Sequence, residues 1–445
     1  MVSFSPSTCP IFEFPPQEEW SALCQRPSLE TSTELQHRVE EIMQRVARGG
    51  DQALIECTQE IDGLTLSTQQ ESTKNIETLK QRVGQPEIDE ALRHSIDTAI
   101  HTIHTFHKAQ ATTPTVVETA PGVHCRLETR PIQRVGLYIP GGSAPLFSSL
   151  IMLGVPATLA GCESIVVCSP PQPNGKVHPW IEAVAHRLGL SQVFPLGGAQ
   201  AIAAMTFGTE SVPKVDKIFG PGNRFVTEAK GQAQRHGVAI DMPAGASELM
   251  ILADGEAHAA FVAADALSQA EHGPDSQILI VTDGVNKATQ IREEVQEQLA
   301  TLPRHDIALK ALEHSKIVVL NTSDIAAFTN SYAPEHLIIN MTGADDIAAQ
   351  IQHAGSIFLG AWSPESAGDY ASGTNHTLPT HGYARAYSGV TLSSFQKTVT
   401  IQHLTRQGVQ SIGPAVVEMA RAEGLDAHAR AMEQRLNALE DSSDG

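Results

Sequence analysis

Val135-Gly136-Leu137-Tyr138-Ile139-Pro140-Gly141-Gly142 is a short β-branched and aromatic run that ends in proline and two glycines. It reads as a buried strand leaving into a tight turn, with a helix starting near Leu146. The same texture repeats downstream. Residues 164–170 read as a strand and 180–188 as a helix, and 192–196 form a strand running into Gly197-Gly198-Ala199-Gln200 and another helix. Lys217-Ile218-Phe219 then leads to Gly220-Pro221-Gly222-Asn223 and a helix through about Gln234. Strands alternating with helices imply crossover connections and a mostly parallel sheet.

A second set follows, with strands expected at 249–253, 277–282, 316–321, 336–340 and 356–359 and helices between them. The fold expected is therefore α/β: two similar, incomplete Rossmann-like parallel-sheet domains, over 131–240 and 241–380. No repeat is visible in the residues themselves. Ahead of them lie a Pro-, Ser- and Thr-rich arm (1–30) and a helical region (31–130), expected to pack on the second α/β unit. Leu35, Val39, Ile42, Met43 and Val46 recur at helical spacing up to Gly49-Gly50, and Asp51 is placed to cap a following helix. A longer helix is expected from about Pro86 to Lys108. It carries His94, His101, His104 and His107, which do not share one face and so do not suggest a metal site. After Trp362 the chain becomes rich in Gly, Ser and Pro, then ends in a helical tail (381–445) broken at Gly424.

Composition bounds the function. With 445 residues the chain is too long for one core. Lys and Arg number 30 against 50 Asp and Glu, a net charge of −20 that argues against binding nucleic acid. The longest apolar run, 146–160, is interrupted by Gly154 and Pro156, so no membrane span is expected. The start of the chain lacks a basic-then-apolar signal. Six scattered cysteines form no disulfide framework, and Cys162 and Cys168 read as buried thiols of a cytoplasmic protein.

Three glycine turns at strand ends offer free backbone amides to an anion, although none is a Gly-x-Gly-x-x-Gly fingerprint. Tyr138, Gln200 and Asn223 sit beside these turns, where they could hold a ribose or a base. Gln269 and His272 lie three apart at the end of a helical run that Gly273-Pro274 stops, so both project from one face. Imidazole and amide oxygen can both bind zinc, but two ligands make no site, and taken alone the pair better suits a solvated helix end. Asp369, beside Gly368 in a loop rich in special residues, is a plausible carboxylate ligand. Glu335 and His336 at a strand mouth after Pro334 offer two proton-transfer groups, or else an exposed loop pair. Ser247 and Glu248 form a polar turn at a strand start, and Glu423 and His428 flank the break in the tail.

Collected, these stretches resemble the histidinol dehydrogenase family. The likeness rests on 137–142, 197–200, 217–223, 267–275, 334–336 and 363–379, in order across nearly the whole chain. It implies oxidation of L-histidinol to L-histidine through histidinaldehyde, consuming two NAD, with His336 as base for the hydroxyl and Glu335 activating water. It implies one zinc ion per subunit, held by Gln269, His272, Asp369 and His428. Substrate contacts are implied from Ser247, Gln269, His272, His336, Asp369, Glu423 and His428, and NAD contacts from Tyr138, Gln200 and Asn223. It further implies a homodimer in which tail residues matching Glu423 and His428 complete the partner's site. Ala246 stands where the family has proline, which frees a backbone dihedral before Ser247; Thr377, where valine is common, looks neutral. A zinc-dependent hydrolase is the rival class, with Glu335 acting on metal-bound water. It lacks a His-Glu-x-x-His signature. A metal-binding scaffold without catalysis is the third.

Overall fold

The structure is a computed structural model of the chain and describes residues 8–27, 32–64, 79–141, 145–243 and 245–441. Gly142 of the first glycine turn, like parts of the N-terminal arm, lies outside the described residues.

The strands, in chain order, are β1 Ile11–Glu13, β2 Gln81–Arg82, β3 Thr115–Ala120, β4 Val123–Pro131, β5 Arg134–Tyr138, β6 Ser164–Ser169, β7 Gln192–Pro195 and β8 Lys217–Phe219. They continue with β9 Ala239–Ile240, β10 Glu248–Ala253, β11 Gln277–Thr282, β12 Lys316–Val319, β13 His336–Asn340, β14 Ser356–Leu359 and β15 Gln396–Leu404. The first unit orders its strands β2-β7-β6-β5-β8-β9, the second β1-β12-β11-β10-β13-β14. Strand for strand, 7-6-5-8-9 corresponds to 12-11-10-13-14, so the two units share one topology. Each sheet takes its sixth strand from the N-terminal region on the corresponding edge; β1 joins parallel and β2 antiparallel.

Both faces of the central strands β10, β11 and β13 in the second sheet are covered, which is why their interiors are apolar. In β10, Leu249, Ile251 and Ala253 enter one core and Met250 and Leu252 the other, as a period of two requires. In the first sheet Val166 and Val167 divide likewise. Each of the Val, Leu, Ile and Met side chains among these, once fully buried, contributes roughly 1.5–3 kcal/mol.

Four expectations need correction. The helical region packs on the first unit, not the second: helix Thr33–Asp62 lies on helices Gly198–Phe207 and Arg224–Arg235, and helix Glu90–Lys108 lies on helix Phe147–Ala160. An amphipathic stripe shows that a face is buried but not against what. That region also ends in the hairpin β3–β4, which joins β15 in an antiparallel sheet. The N-terminal arm is partly core, since β1 pairs with β12 and Cys9, Trp20 and Leu23 are buried. Asp51 does not cap the helix after Gly50. Its carboxylate accepts from Ser211, and the free N–H of Asp51 is met by Glu210, distant in sequence.

Of the four histidines on helix Glu90–Lys108, three are exposed and only His107 is buried, with Nδ1 2.9 Å from the Ile103 carbonyl. The tail helices Arg406–Ala422 and Asp426–Asp441 pack on each other, joined through Gly424 at φ 75°, and the first also lies against the antiparallel sheet. No helix among the described residues is long and apolar enough to cross a membrane.

Candidate active site

The two units meet over a cavity of about 130 Å³. The first contributes the C-terminal ends of its strands and the second the N-terminal ends, so only one unit follows the usual rule for parallel sheets. From the first unit the lining includes Ser149 and Gly220, from the connection just after β9 Asp241, and from the second unit Ser247, His272, Glu335, His336 and Asp369.

The glycine turns form a continuous row on the first unit. A Cβ on Gly197 would meet Pro170 at 3.0 Å, and one on Gly141 would meet Ser169 Oγ at 2.9 Å. Gly220 is the tightest point. Its φ is 122°, and a Cβ there would lie 2.1 Å from the Tyr138 carbonyl oxygen. Its N–H donates to Asp241 at 2.8 Å, and its carbonyl accepts from Lys230, which pairs with Asp241 at 2.6 Å in a buried ion pair. Gly220→Ala is therefore expected to lower unfolding stability by about 1–3 kcal/mol from backbone strain alone, read as a lower denaturant midpoint. An unchanged midpoint would show that the turn can shift.

Beside this row, the Tyr138 hydroxyl accepts from the Gly198 N–H at 3.1 Å. Gln200, fully buried, donates to Asp62 at 3.0 Å and leaves its Oε1 without a partner. Asn223 caps helix Arg224–Arg235, its Oδ1 accepting from Phe225 at 3.0 Å and Val226 at 3.2 Å.

On the second unit, Glu335 and His336 are delivered by a sharp turn. Ala333 takes φ 55°, in the left-handed region, and Pro334 follows. The Glu335 carbonyl accepts from Ser356, and a Cβ on the adjacent Gly355 would lie 2.6 Å from that oxygen, so glycine is required for the approach. The two side chains are then held by one neighbour. The backbone N–H of Glu248 donates to Glu335 Oε2 at 2.8 Å, and the Glu248 carbonyl lies 3.2 Å from His336 Nδ1. A carbonyl can only accept, so Nδ1 carries the proton and Nε2 presents its lone pair. Burial pushes His336 down to about 3, so the ring is neutral. Its Nε2 is 3.7 Å from Asp369 Oδ1.

Gln269 lies in the last turn of helix Ala259–Ala270, and His272 comes just after its C-cap Glu271, its N–H donating to the Gln269 carbonyl. His272 Nε2 lies 3.7 Å from Asp369 Oδ2. Asp369 comes from the short helix Glu365–Tyr370, which also brings in Glu365, a residue the sequence reading missed. The spacing i, i+4 was the available signal, since it puts both carboxylates on one helix face. His272, Glu365 and Asp369 bring their ligand atoms within 4.8 Å of one another. His376, also unassigned from sequence, faces the same cavity, its Nδ1 2.9 Å from the Asp369 carbonyl.

The electrostatics call for a cation. Burial lifts Asp369 to about 7, and burial followed by repulsion from Asp369 and Glu335 raises Glu365 well above the carboxylate range. Burial also raises Glu335 strongly, with repulsion from Glu248 and Asp369 adding to it, and lowers His272. Both amide atoms of Gln269 and both Glu365 oxygens are buried without hydrogen-bond partners. Buried polar atoms rarely go unmatched, and this set of amide, carboxylate and imidazole donors suits zinc.

Ser247 lines the cavity, and its carbonyl accepts from the Gln277 N–H, so its backbone is anchored despite Ala246. Thr377 also lines it, with its hydroxyl buried and unpartnered. Glu423 and His428 are exposed on the tail, and neither lines this cavity. Cys168 is buried as expected but Cys162 only half-buried; burial raises both thiols, Cys162 to about 11, which leaves little thiolate.

Two doubly wound units closing over a buried acid–imidazole cluster define an α/β enzyme whose site can seat a cation. The comparisons give the family: the histidinol dehydrogenase pattern matches residues 24–436, and the chain belongs to that family of oxidoreductases of histidine biosynthesis. It is 50% identical over 430 residues to histidinol dehydrogenase of Bacteroides thetaiotaomicron, covering 96% of this chain and 99% of that one. The Escherichia coli histidinol dehydrogenase is 47% identical over 431 residues, covering 96% and 97%. The crystal structure of histidinol dehydrogenase from Elizabethkingia anophelis superposes with a TM-score of 0.91 at 47% identity, covering 97% of this chain and 99% of that one.

Proposed function

We propose that the protein oxidises L-histidinol to L-histidine through histidinaldehyde, a four-electron reaction using two NAD in sequence at a zinc site. The observation that carries this reading is the neutral His336 with its Nε2 lone pair turned toward a cavity shared with Glu335, His272 and Asp369. Gln269, His272 and Asp369 would hold the zinc, with His428 supplied by a second copy in a cytoplasmic homodimer. Glu423 of that copy, with Ser247, would add substrate contacts. Tyr138, Gln200 and Asn223 flank the glycine turns where NAD would lie. When bound, the metal orients the imidazole and amine of the substrate, and the nicotinamide takes up hydride.

The residues of the chain supply the proton chemistry. His336 Nε2 accepts the carbinol proton as the first oxidation proceeds. Glu335 then takes a proton from the water that attacks the aldehyde carbon while His336 returns its own to the carbonyl oxygen, so His336 is free to accept the proton lost from the hydrate in the second oxidation. Glu248 holds both groups in register through its backbone. Enclosing the aldehyde between the two units limits its side reactions.

The direct test is the near-ultraviolet absorbance of reduced nicotinamide with L-histidinol, NAD and zinc-loaded enzyme. Two equivalents of reduced cofactor per histidinol are expected, and one equivalent or none would refute the reading.

Metal affinity should depend on pH. Zinc binds the ionised carboxylate, and Asp369 in the metal-free chain titrates at about 7. Below that value each proton must be displaced, so affinity should fall by roughly tenfold per pH unit. Competition titrations at about pH 6 and about pH 8 would measure this; equal affinity at both would show that binding displaces no proton from Asp369 in that range.

A further inference from the structure

We infer that Arg26, in the N-terminal segment, is a positioning residue for the Glu335–His336 pair, acting through Glu248; this rests on the roles proposed above for that pair. Among the described residues, Glu248 is hydrogen-bonded to both side chains, through its backbone N–H to Glu335 Oε2 at 2.8 Å and its carbonyl to His336 Nδ1 at 3.2 Å. Its side chain points the other way and is almost wholly buried, 2% exposed. Arg26 meets it there with a bidentate fork, Nε to Oε1 at 2.5 Å and Nη2 to Oε2 at 2.8 Å.

The same guanidinium reaches the turn that precedes β13. Nη2 donates to the carbonyl of Tyr332 at 2.8 Å and that of Ala333 at 3.3 Å. Its Cζ lies 3.9 Å from the centre of the Tyr332 ring, whose hydroxyl donates to Gln277 at 2.9 Å. Ala333 is the left-handed residue of the turn that delivers Glu335 and His336, a strained conformation for alanine that persists only when its surroundings enforce it. Arg26 thus ties together the start of β10 and the turn into β13, the two backbone segments that carry the pair and its common partner. The His381 N–H, donating to Glu248 Oε1 at 2.5 Å, completes the shell around that carboxylate.

A fork is needed for this, because one planar group must serve two carboxylate oxygens and two carbonyls. Lysine offers a point charge that cannot do so. An Arg26 that only held the N-terminal segment in place would affect how much protein folds. One that positions the pair must affect each folded site.

The test is turnover per zinc-loaded site in the full chain for Arg26→Lys and Arg26→Met, together with the ¹⁵N NMR signature of the His336 ring, assigned by its loss in His336→Asn. Both variants are expected to lower kcat per site roughly 10- to 100-fold, the scale of a small misplacement of reacting groups, with KM for NAD unchanged. The ring should move from a pure Nδ1–H tautomer toward a mixture, and methylguanidinium should partly restore kcat in the smaller variant Arg26→Ala. A kcat per site within about twofold of wild type in both Lys and Met variants, with the Nδ1–H tautomer intact, would overturn the inference. The tautomer is read without turnover, so failure of the wild-type chain to oxidise histidinol would sink the proposed function and leave this test standing.

Discussion

His336→Asn is expected to lower histidinol turnover by roughly 10²–10⁴-fold, the usual worth of a positioned proton acceptor, with zinc content unchanged. Asparagine suits the test because its side-chain NH₂ can still donate toward the Glu248 carbonyl that now holds Nδ1. What it lacks is a basic nitrogen where Nε2 stands. Glu335→Gln should cost a similar factor, since the amide fills the same space and its oxygen can still accept from the Glu248 N–H. The two variants should differ in where they stall. Without Glu335 the first oxidation can run and the aldehyde should accumulate in the site, whereas without His336 neither oxidation proceeds well. Single-turnover measurements with a carbonyl trap would separate these outcomes, and near-normal turnover in either variant would refute the assigned role.

Loss of the metal should have the larger effect. A chelator is expected to remove activity and added zinc to restore it, because Gln269, His272 and Asp369 would otherwise leave the substrate without its anchor. Asp369→Ala and His272→Ala should each lower zinc content as measured by elemental analysis, and activity should fall with it. These variants need not unfold the chain. Removing Asp369 also removes a carboxylate that repels Glu335 and Glu365, so in the metal-free state Asp369→Ala should be as stable as the wild type or more so. A metal-free enzyme with full activity would contradict the assignment of the site.

Much of the fold is legible from local pattern. The central strands of both sheets are short and buried on both faces, so β-branched runs between glycine turns mark them, as at Val135–Ile139 and 277–282. The antiparallel sheet was not legible, because β3 is exposed along nearly all its length and lacks any apolar alternation. Nor was the docking of helix Thr33–Asp62 on the first unit, since its stripe fits either sheet. In the site, Gln269, His272, Glu335 and Asp369 stood out because each sits at a helix end, strand mouth or turn where a polar residue needs a reason. Glu365 hid inside a loop reading, although its distance from Asp369 is a helical one. Arg26 could not be found at all: it lies 222 residues from Glu248, and no periodicity reports an ion pair between segments so far apart. The shared strand order of the two units also emerged only in three dimensions, because topology outlasts residue identity.

The most direct test of the central claim, that one metal ion seated by Gln269, His272 and Asp369 lies beside the Glu335–His336 pair, is an anomalous difference map at the zinc edge from crystals of the full-length protein. The account predicts a single strong peak per subunit, about 2.0–2.2 Å from an imidazole nitrogen of His272 and a carboxylate oxygen of Asp369. A peak elsewhere, or none from crystals of enzyme that oxidises histidinol, would contradict it.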